Sequence, residues 1–281
     1  SRFSCRRRPQ ETALLPSPGE GGFPPAPPGI LTMAVWTFDG TFNGFLCLIH
    51  ESSRRKERPE GILGGGKNQP FLFETVPTET DEGLAASVRT ALAARLSRRV
   101  LTEGYYAFLS AMPGREMAVY RYFALAWTAG PGAAGLLADE RVRTVHEAGR
   151  AVSRERHRFL GLLRFSELGG VLYAPFEPEG DILPLVAGHF ARRLGGERWI
   201  IHDTGRSKAA VYENGTWRIA GFSTGGPLPL SGREREIRDL WKRYFSSTAV
   251  QTRKNPGLQR QFMPKKYWKH LPEKEDADGI R

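Results

Sequence analysis

The feature that most constrains this chain is a change of apolar period near residue 160. Between Asp81 and Leu160 apolar residues recur at helical spacing, so the segments 81–96, 98–111, 115–129 and 139–160 read as helices. In the third, Met117, Tyr120, Ala124 and Trp127 share a face, which predicts a central position. Past Leu160 the period shortens. "LGLLRFSEL" and "GVLYAPFEP" read as a hairpin about Gly169–Gly170, and "RWIIHD", "AAVYENG" and "TWRIAGF" as further strands, with Glu213-Asn214-Gly215 as a hairpin turn. A short helix over 184–195 interrupts them. A last amphipathic helix runs from near Ser231 to near Ser247, with Ile237, Leu240, Trp241, Tyr244 and Phe245 on its apolar face. Helices grouped first and antiparallel strands later predict an α+β fold, not a doubly wound one. Its helical N-terminal half precedes an antiparallel sheet in the C-terminal half, and a basic, aromatic tail follows.

Upstream, "AVWTFDG" reads as a strand, 41–56 as a helix, 57–70 as a loop and 71–80 as extended chain. Residues 1–32 are dense in Pro and Gly and have little to bury, so they read as a disordered extension. Residues 33–273 then form a single domain, and 274–281 a disordered tail. An apolar fraction of 40% suffices for a core. No apolar run approaches the ~20 residues that a membrane span needs. The Arg-rich start is followed by Pro and Gly, not by the apolar stretch of a signal peptide. Cys5 and Cys47 are too few for a disulfide framework or a four-cysteine zinc site, which suits a cytoplasmic protein.

Charge points to a partner. The chain carries 41 basic and 30 acidic residues, a formal charge of +11, and +9 remains without residues 1–32. A polyanion is the expected ligand, nucleic acid before a membrane surface. On the 139–160 helix, His146, Arg150, Ser153 and His157 form a stripe beside an apolar one of Val142, Val145, Val152 and Phe159. With Arg154, Arg158 and Arg164 it reads either as a phosphate-facing ridge or as a solvated face held by pairs such as Glu155–Arg158. His189, Arg192, Arg193, His202, Asp203 and Arg206 gather around one strand. His202 and Asp203 alternate across it, so at most one faces a given site. A carboxylate beside Arg and His reads as a general acid/base or as a structural ion pair with Arg193 or Arg206. The acid/base candidates are therefore Glu155, His157, His189 and Asp203.

The segment 251–273 interleaves Arg260, Lys265, Lys266 and Lys269 with Phe262, Tyr267 and Trp268, bracketed by prolines. Cations neutralise phosphates and exposed rings stack on bases, so one reading is a nucleic-acid contact. The other is a strap docked on the body by its aromatics. In an extended segment Tyr267 and Trp268 point to opposite sides. The larger ring is then the expected anchor, and Tyr267 the one nearer the basic surface.

Other motifs carry less. "GILGGGKN" (61–68) approximates a phosphate-binding loop, but Asn68 replaces the hydroxyl residue and Pro70 follows. "GFSTG" (221–225) matches the nucleophile elbow in letters only, because "GPLPL" cannot start the required helix. His146 and His157 sit about 16 Å apart along a helix and cannot share an ion. Neither a metal nor a cofactor is expected.

"NPGLQRQFMPKKYWKHLPE" (255–273) closely resembles the terminal signature of a bacterial family assigned to DNA repair or DNA metabolism, without an assigned reaction. "TFDGTFNGFL" (37–46), "YYAFLSAMPGREMAVYRY" (105–122), "ERHRFLGLLRFSEL" (155–168) and "LPLVAGHFARRLGGERWIIHD" (183–203) fit the same family, so the resemblance covers about Ala34 to Glu273. It implies a context. Similar domains occur fused to uracil-DNA glycosylase-type domains, beside genes for a radical S-adenosylmethionine protein of DNA modification or repair. The implied role is a DNA-binding accessory protein with a partner enzyme. An enzyme acting on a DNA base or backbone is the alternative, and no catalytic residue carries over.

Overall fold

In the computed structural model the chain is described over residues 34–65, 75–226, 230–253 and 255–274. The extension expected over 1–32, the terminal residues after Lys274, Phe71–Glu74 and the Lys67–Asn68 end of "GILGGGKN" lie outside the described residues. The chain divides into two compact units, Ser1–Arg150 and Ala151–Arg281.

The first unit opens with β1 (Val35–Phe38), α1 (Phe42–Arg55), β2 (Gly61–Gly64) and β3 (Thr75–Pro77). β1 lies between β2 and β3 and is parallel to both. The strand β2 corrects the loop expected over 57–70. Its glycines suit a strand because a Cβ at Gly64 would come within 2.8 Å of the Phe38 ring. Four helices follow, α2 (Glu82–Leu96), α3 (Arg98–Phe108), α4 (Arg115–Ala129) and α5 (Glu140–Leu162). Three helix starts are chemically defined: Thr41 before α1, Asp81 before α2 and Ser97 before α3 each accept a backbone N–H of the following turn with their side chains. α4 is central, as its pattern predicts, but Val119, Tyr122, Phe123 and Ala126 join Tyr120 and Trp127 in the core, while Met117 and Ala124 are half-buried.

α5 starts in the first unit and ends in the second. Val142, Val145, Val152 and Phe159 are all buried, as the apolar stripe requires. The second unit continues with β4 (Ser166–Leu168), β5 (Val171–Phe176), α6 (Leu183–Arg193), β6 (Trp199–Asp203), β7 (Lys208–Glu213) and β8 (Thr216–Gly221). The strands form one sheet in chain order. Both expected hairpins form, with positive φ at Gly169 and Gly170 and at Asn214 and Gly215. One pair, β5 with β6, is parallel, because α6 carries the chain back across the sheet. The rest is antiparallel, and the architecture is α+β.

The register assigns the faces. Ala174, Phe176, Trp199, Ile201 and Tyr212 share one face and are buried. Trp199 stacks on Tyr212 at 5.1 Å, and the Tyr212 hydroxyl donates to the Gly195 carbonyl just beyond α6. Ser166, Tyr173, Pro175 and His202 lie on the opposite face. Over that face come α7 (Gly232–Thr248) and, beyond α8 (Pro256–Phe262) in the chain, His270.

α7 departs from its pattern. Ile237, Leu240, Trp241, Tyr244 and Phe245 are exposed, and its buried residue is Glu234. Polar contacts hold it: Glu234 accepts the Glu167 N–H at 3.1 Å, and Arg238 donates to Ser166 Oγ at 2.9 Å. The tail is not extended either. Asn255 caps Pro256–Phe262, and single helical turns follow at 265–267 and 272–274.

Candidate functional site

The four acid/base candidates are not brought together. Among the described residues no hydrogen bond or ion pair joins any two of them. Glu155 is 6% exposed and accepts the N–H groups of Glu179 (2.7 Å) and Gly180 (2.9 Å), so it fixes the turn before α6 instead of pairing with Arg158. Asp203 is fully buried and accepts from the Arg206 backbone and guanidinium, each at 3.1 Å. Burial raises its pKa more than Arg206 lowers it. Both carboxylates serve the fold. His157 is exposed on α5. His189 is half-buried, and its Nε2 has no partner among the described residues.

The cations sort into two sets. Arg158 lies over the Tyr267 ring and donates to its hydroxyl at 3.3 Å. Arg164 pairs with Glu273 at 2.9 Å, and Arg206 is tied to Asp203 and to the carbonyls of Pro178 and Glu179. Lys266 pairs with Glu179 and Lys269 with Glu177. Lys265 lies over Trp268. Arg150, Arg154, Arg193 and Arg260 stay exposed with no ion pair among the described residues.

The tail pair is reversed. Tyr267 is 5% exposed and sits edge-on to Phe159 at 5.2 Å, whereas Trp268 is half-buried with Nε1 on the Met263 carbonyl. A helical turn, not an extended segment, carries them, so strict alternation does not apply. Tyr267 cannot stack on a base from that position. It is the anchor.

Two arrangements go beyond the sequence reading, which placed His189, Arg192 and Arg193 together without Arg156 and held no sign of the cavity. The first is cationic. Arg156, on α5, donates to the Leu185 carbonyl of α6 at 3.5 Å, and together with Arg192 and Arg193 it acts on His189. Burial first, and these three cations next, lower the His189 pKa, with no carboxylate among the groups acting on it. This cluster lies in the half that holds 23 basic and 15 acidic residues, +8 of the chain's +11.

The second is a cavity of about 400 Å³ over the polar face of the five-stranded sheet. Its floor includes Ser166, Tyr173 and Pro175; Leu230, Arg238 and His270 come from the overlying chain. The Tyr173 hydroxyl and His202 Nδ1 are 2.7 Å apart. Burial lowers the His202 pKa and raises that of Tyr173. His270 is held down to about 4, by burial first and by Lys269 next. Its Nε2 is buried and has no partner among the described residues. Register explains the meeting, since Tyr173 faces Ile200 across β5 and β6, two residues from His202 on the same face.

A larger cavity of about 530 Å³ lies in the first unit, bounded by Arg58, Arg121, Arg141 and Tyr120. Its cations include Arg141, bound to Asp139, and its Tyr120 hydroxyl is 2.8 Å from Ser52. It holds no neutral base beside a proton donor, so the smaller cavity is the better chemical site. Among the described residues no group of three or more His, Cys, Asp or Glu could hold a metal ion, and no helix is long and apolar enough to cross a membrane. The "GFSTG" motif starts at the last residue of β8, and among the described residues no helix follows Ser223 before Gly232, as a nucleophile elbow would require.

Residues 113–273 match the family described as a domain of unknown function, DUF4130, and the chain belongs to that family. The match spans the cationic cluster and every residue of the smaller cavity. No curated protein and no solved structure matches the chain.

Proposed function

We propose that this family member binds DNA as an accessory protein in DNA repair or modification, in the cytoplasm, beside a separate enzyme. One observation carries the reading: Arg156, Arg192 and Arg193 lie near His189 and, after burial, lower its pKa, in the half with +8 of the +11 charges. Guanidinium groups without carboxylate partners are suited to phosphate oxygens, and they attract a polyanion whatever its sequence. The partner class, a radical S-adenosylmethionine protein or a uracil-DNA glycosylase-type domain, comes from the sequence resemblance alone. Fluorescence anisotropy with a labelled duplex and a labelled single strand tests the binding. The affinity should fall with salt, log K dropping by about 0.7–0.9 per phosphate neutralised. In the double variant Arg192→Ala/Arg193→Ala that slope should flatten by roughly 1.5. A slope unchanged in the double variant, or no binding at low salt, rejects the proposal.

A second reading, an enzyme acting on a base or on the backbone, is favoured by the Tyr173–His202 pair at the cavity, not by Asp203 or Glu155. Incubation with normal, uracil-containing and gapped DNA tests it. Strand or base chemistry that is lost in Tyr173→Phe supports an enzyme, and no chemistry on any substrate supports the accessory role.

A further inference from the structure

The cavity of the second unit combines neutral polar groups with apolar walls. Among the described residues that line it, Arg238 contributes the one guanidinium, which already serves Ser166 Oγ at 2.9 Å and lies 3.5 Å from the Glu234 carboxylate. A second anion brought against that pair would meet Glu234. Leu168, Pro175 and Leu230 supply apolar surface. The volume of about 400 Å³ falls within the range of small-molecule clefts.

Hydrogen-bonding groups narrow the ligand. The His202 ring lies edge-on to Phe222 at 4.8 Å, and its Nδ1 is 2.7 Å from the Tyr173 hydroxyl. The imidazole tautomer sets which of the two groups donates in that bond. In either direction the Tyr173 phenol keeps hydrogen-bonding capacity toward the cavity, as an acceptor where it donates to His202 and as a donor where it accepts. Thr204 and Thr224 add hydroxyls to the lining, and His270 brings an imidazole whose Nε2 has no partner among the described residues. Such a set suits a flat, uncharged molecule that carries both donors and acceptors on its edge.

We propose that this cavity binds a nucleobase, either within a DNA strand or as a free nucleoside, with Tyr173 and His270 on its polar edge and Leu168, Pro175 and Leu230 on its apolar surface. The proposal rests on the DNA-binding reading only for the strand-borne source. A base taken out of a strand is read in this way by hydrogen bonds to its edge and packing against its faces.

The test uses the full chain and two arms. In the first, saturation-transfer NMR is recorded with uridine, thymidine, cytidine, adenosine and guanosine, and with ribose alone. In the second, anisotropy compares a single strand with an abasic strand of equal length and charge. We expect saturation of base protons and none of ribose alone, and affinity about tenfold higher for the base-containing strand. Saturation without a strand preference identifies the free nucleoside as the source and keeps the site. Tyr173→Phe and the cavity-filling Leu230→Trp should each erase the base-dependent signal and leave abasic-strand affinity unchanged. Equal strands with no nucleoside saturation overturn the site, even where salt-dependent binding of both strands upholds the DNA-binding reading. If neither strand binds at low salt, that reading falls, and the nucleoside arm still decides the cavity.

Discussion

The two faces of the five-stranded sheet differ in kind. On one, Trp199, Ile201, Ala174 and Phe176 are at most 1% exposed, and Trp199 stacks flat on Tyr212. On the other, Tyr173, Pro175 and Thr204 are half-buried and leave a cavity. Dense apolar packing on the first face stabilises the sheet, because protein interiors gain from contact at close range. The second face is under no such demand. It can hold ionisable groups near one another, and its roof is joined to it by polar contacts such as Arg238 to Ser166. A sheet that is secured from one side has the other available for a ligand.

The largest expected effect breaks or confirms this contrast directly. Trp199→Ala should destabilise the chain by about 4 kcal/mol, since it opens a large cavity in a filled face. Tyr173→Phe, which removes one hydroxyl from the polar face, should cost about 1 kcal/mol. Urea denaturation of both variants measures the difference. Equal losses would mean that the polar face carries the fold as much as the packed one.

Next comes the anchoring of the roof. Tyr267→Ala should cost about 3 kcal/mol, because the ring fills the space beside Phe159 and Arg158. Trp268→Ala should cost about 1 kcal/mol, since its ring is half-buried. Thermal melts of the two variants rank them. A larger loss for Trp268→Ala would restore the order that ring size alone suggests.

Acid should loosen the same region. His270 titrates at about 4 in the folded chain, against 6.5 unperturbed, because burial disfavours its charge. Between those values the unfolded state binds the proton and the folded state does not, so stability is present above pH 6.5 and is lost as pH falls toward 4. The full loss is roughly 3 kcal/mol. Burial lowers the pKa of His202 and His189 as well, which adds a slope of the same sign. His270→Leu should remove its own share. The difference in Tm between the variant and the parent should therefore widen in the variant's favour from pH 7 to pH 4. A constant difference would mean that His270 does not titrate across the transition.

The same contrast explains what the sequence disclosed. Strands, hairpin turns and the buried stripe of α5 were legible because period and turn chemistry are local. The parallel strand β2 was not, since its glycines mimic a loop until the Phe38 ring is set against them. α7 misled because an amphipathic pattern states only that a face is apolar, and here polar contacts at Glu234 and Arg238 seat the helix instead. The helix at Pro256 had a readable signal, Asn255 before a proline, which the interleaved charges and aromatics obscured. Of the site, His189, Arg193 and His202 were in view. Tyr173 and His270 join His202 only through strand register and the return of the tail, and neither is encoded at any fixed spacing.

The smallest effect concerns the charges of the tail. Lys266–Glu179 and Lys269–Glu177 are exposed pairs, with side chains 44% and 57% exposed on the lysine side. Such pairs contribute about 0–1 kcal/mol, because water screens them and two long side chains lose freedom. Lys266→Ala/Lys269→Ala should therefore leave the urea midpoint within the range set by about 1 kcal/mol. It should also leave Glu177 and Glu179 unneutralised at the surface, which repels a polyanion. DNA affinity should then fall further than the loss of two cations explains, and Glu177→Gln/Glu179→Gln in the same background should recover part of it. The recovery is the decisive readout. If the glutamine changes restore nothing, the two lysines act on DNA directly and their carboxylate partners are bystanders; if stability falls by several kcal/mol, the tail is held by charge and not by Tyr267.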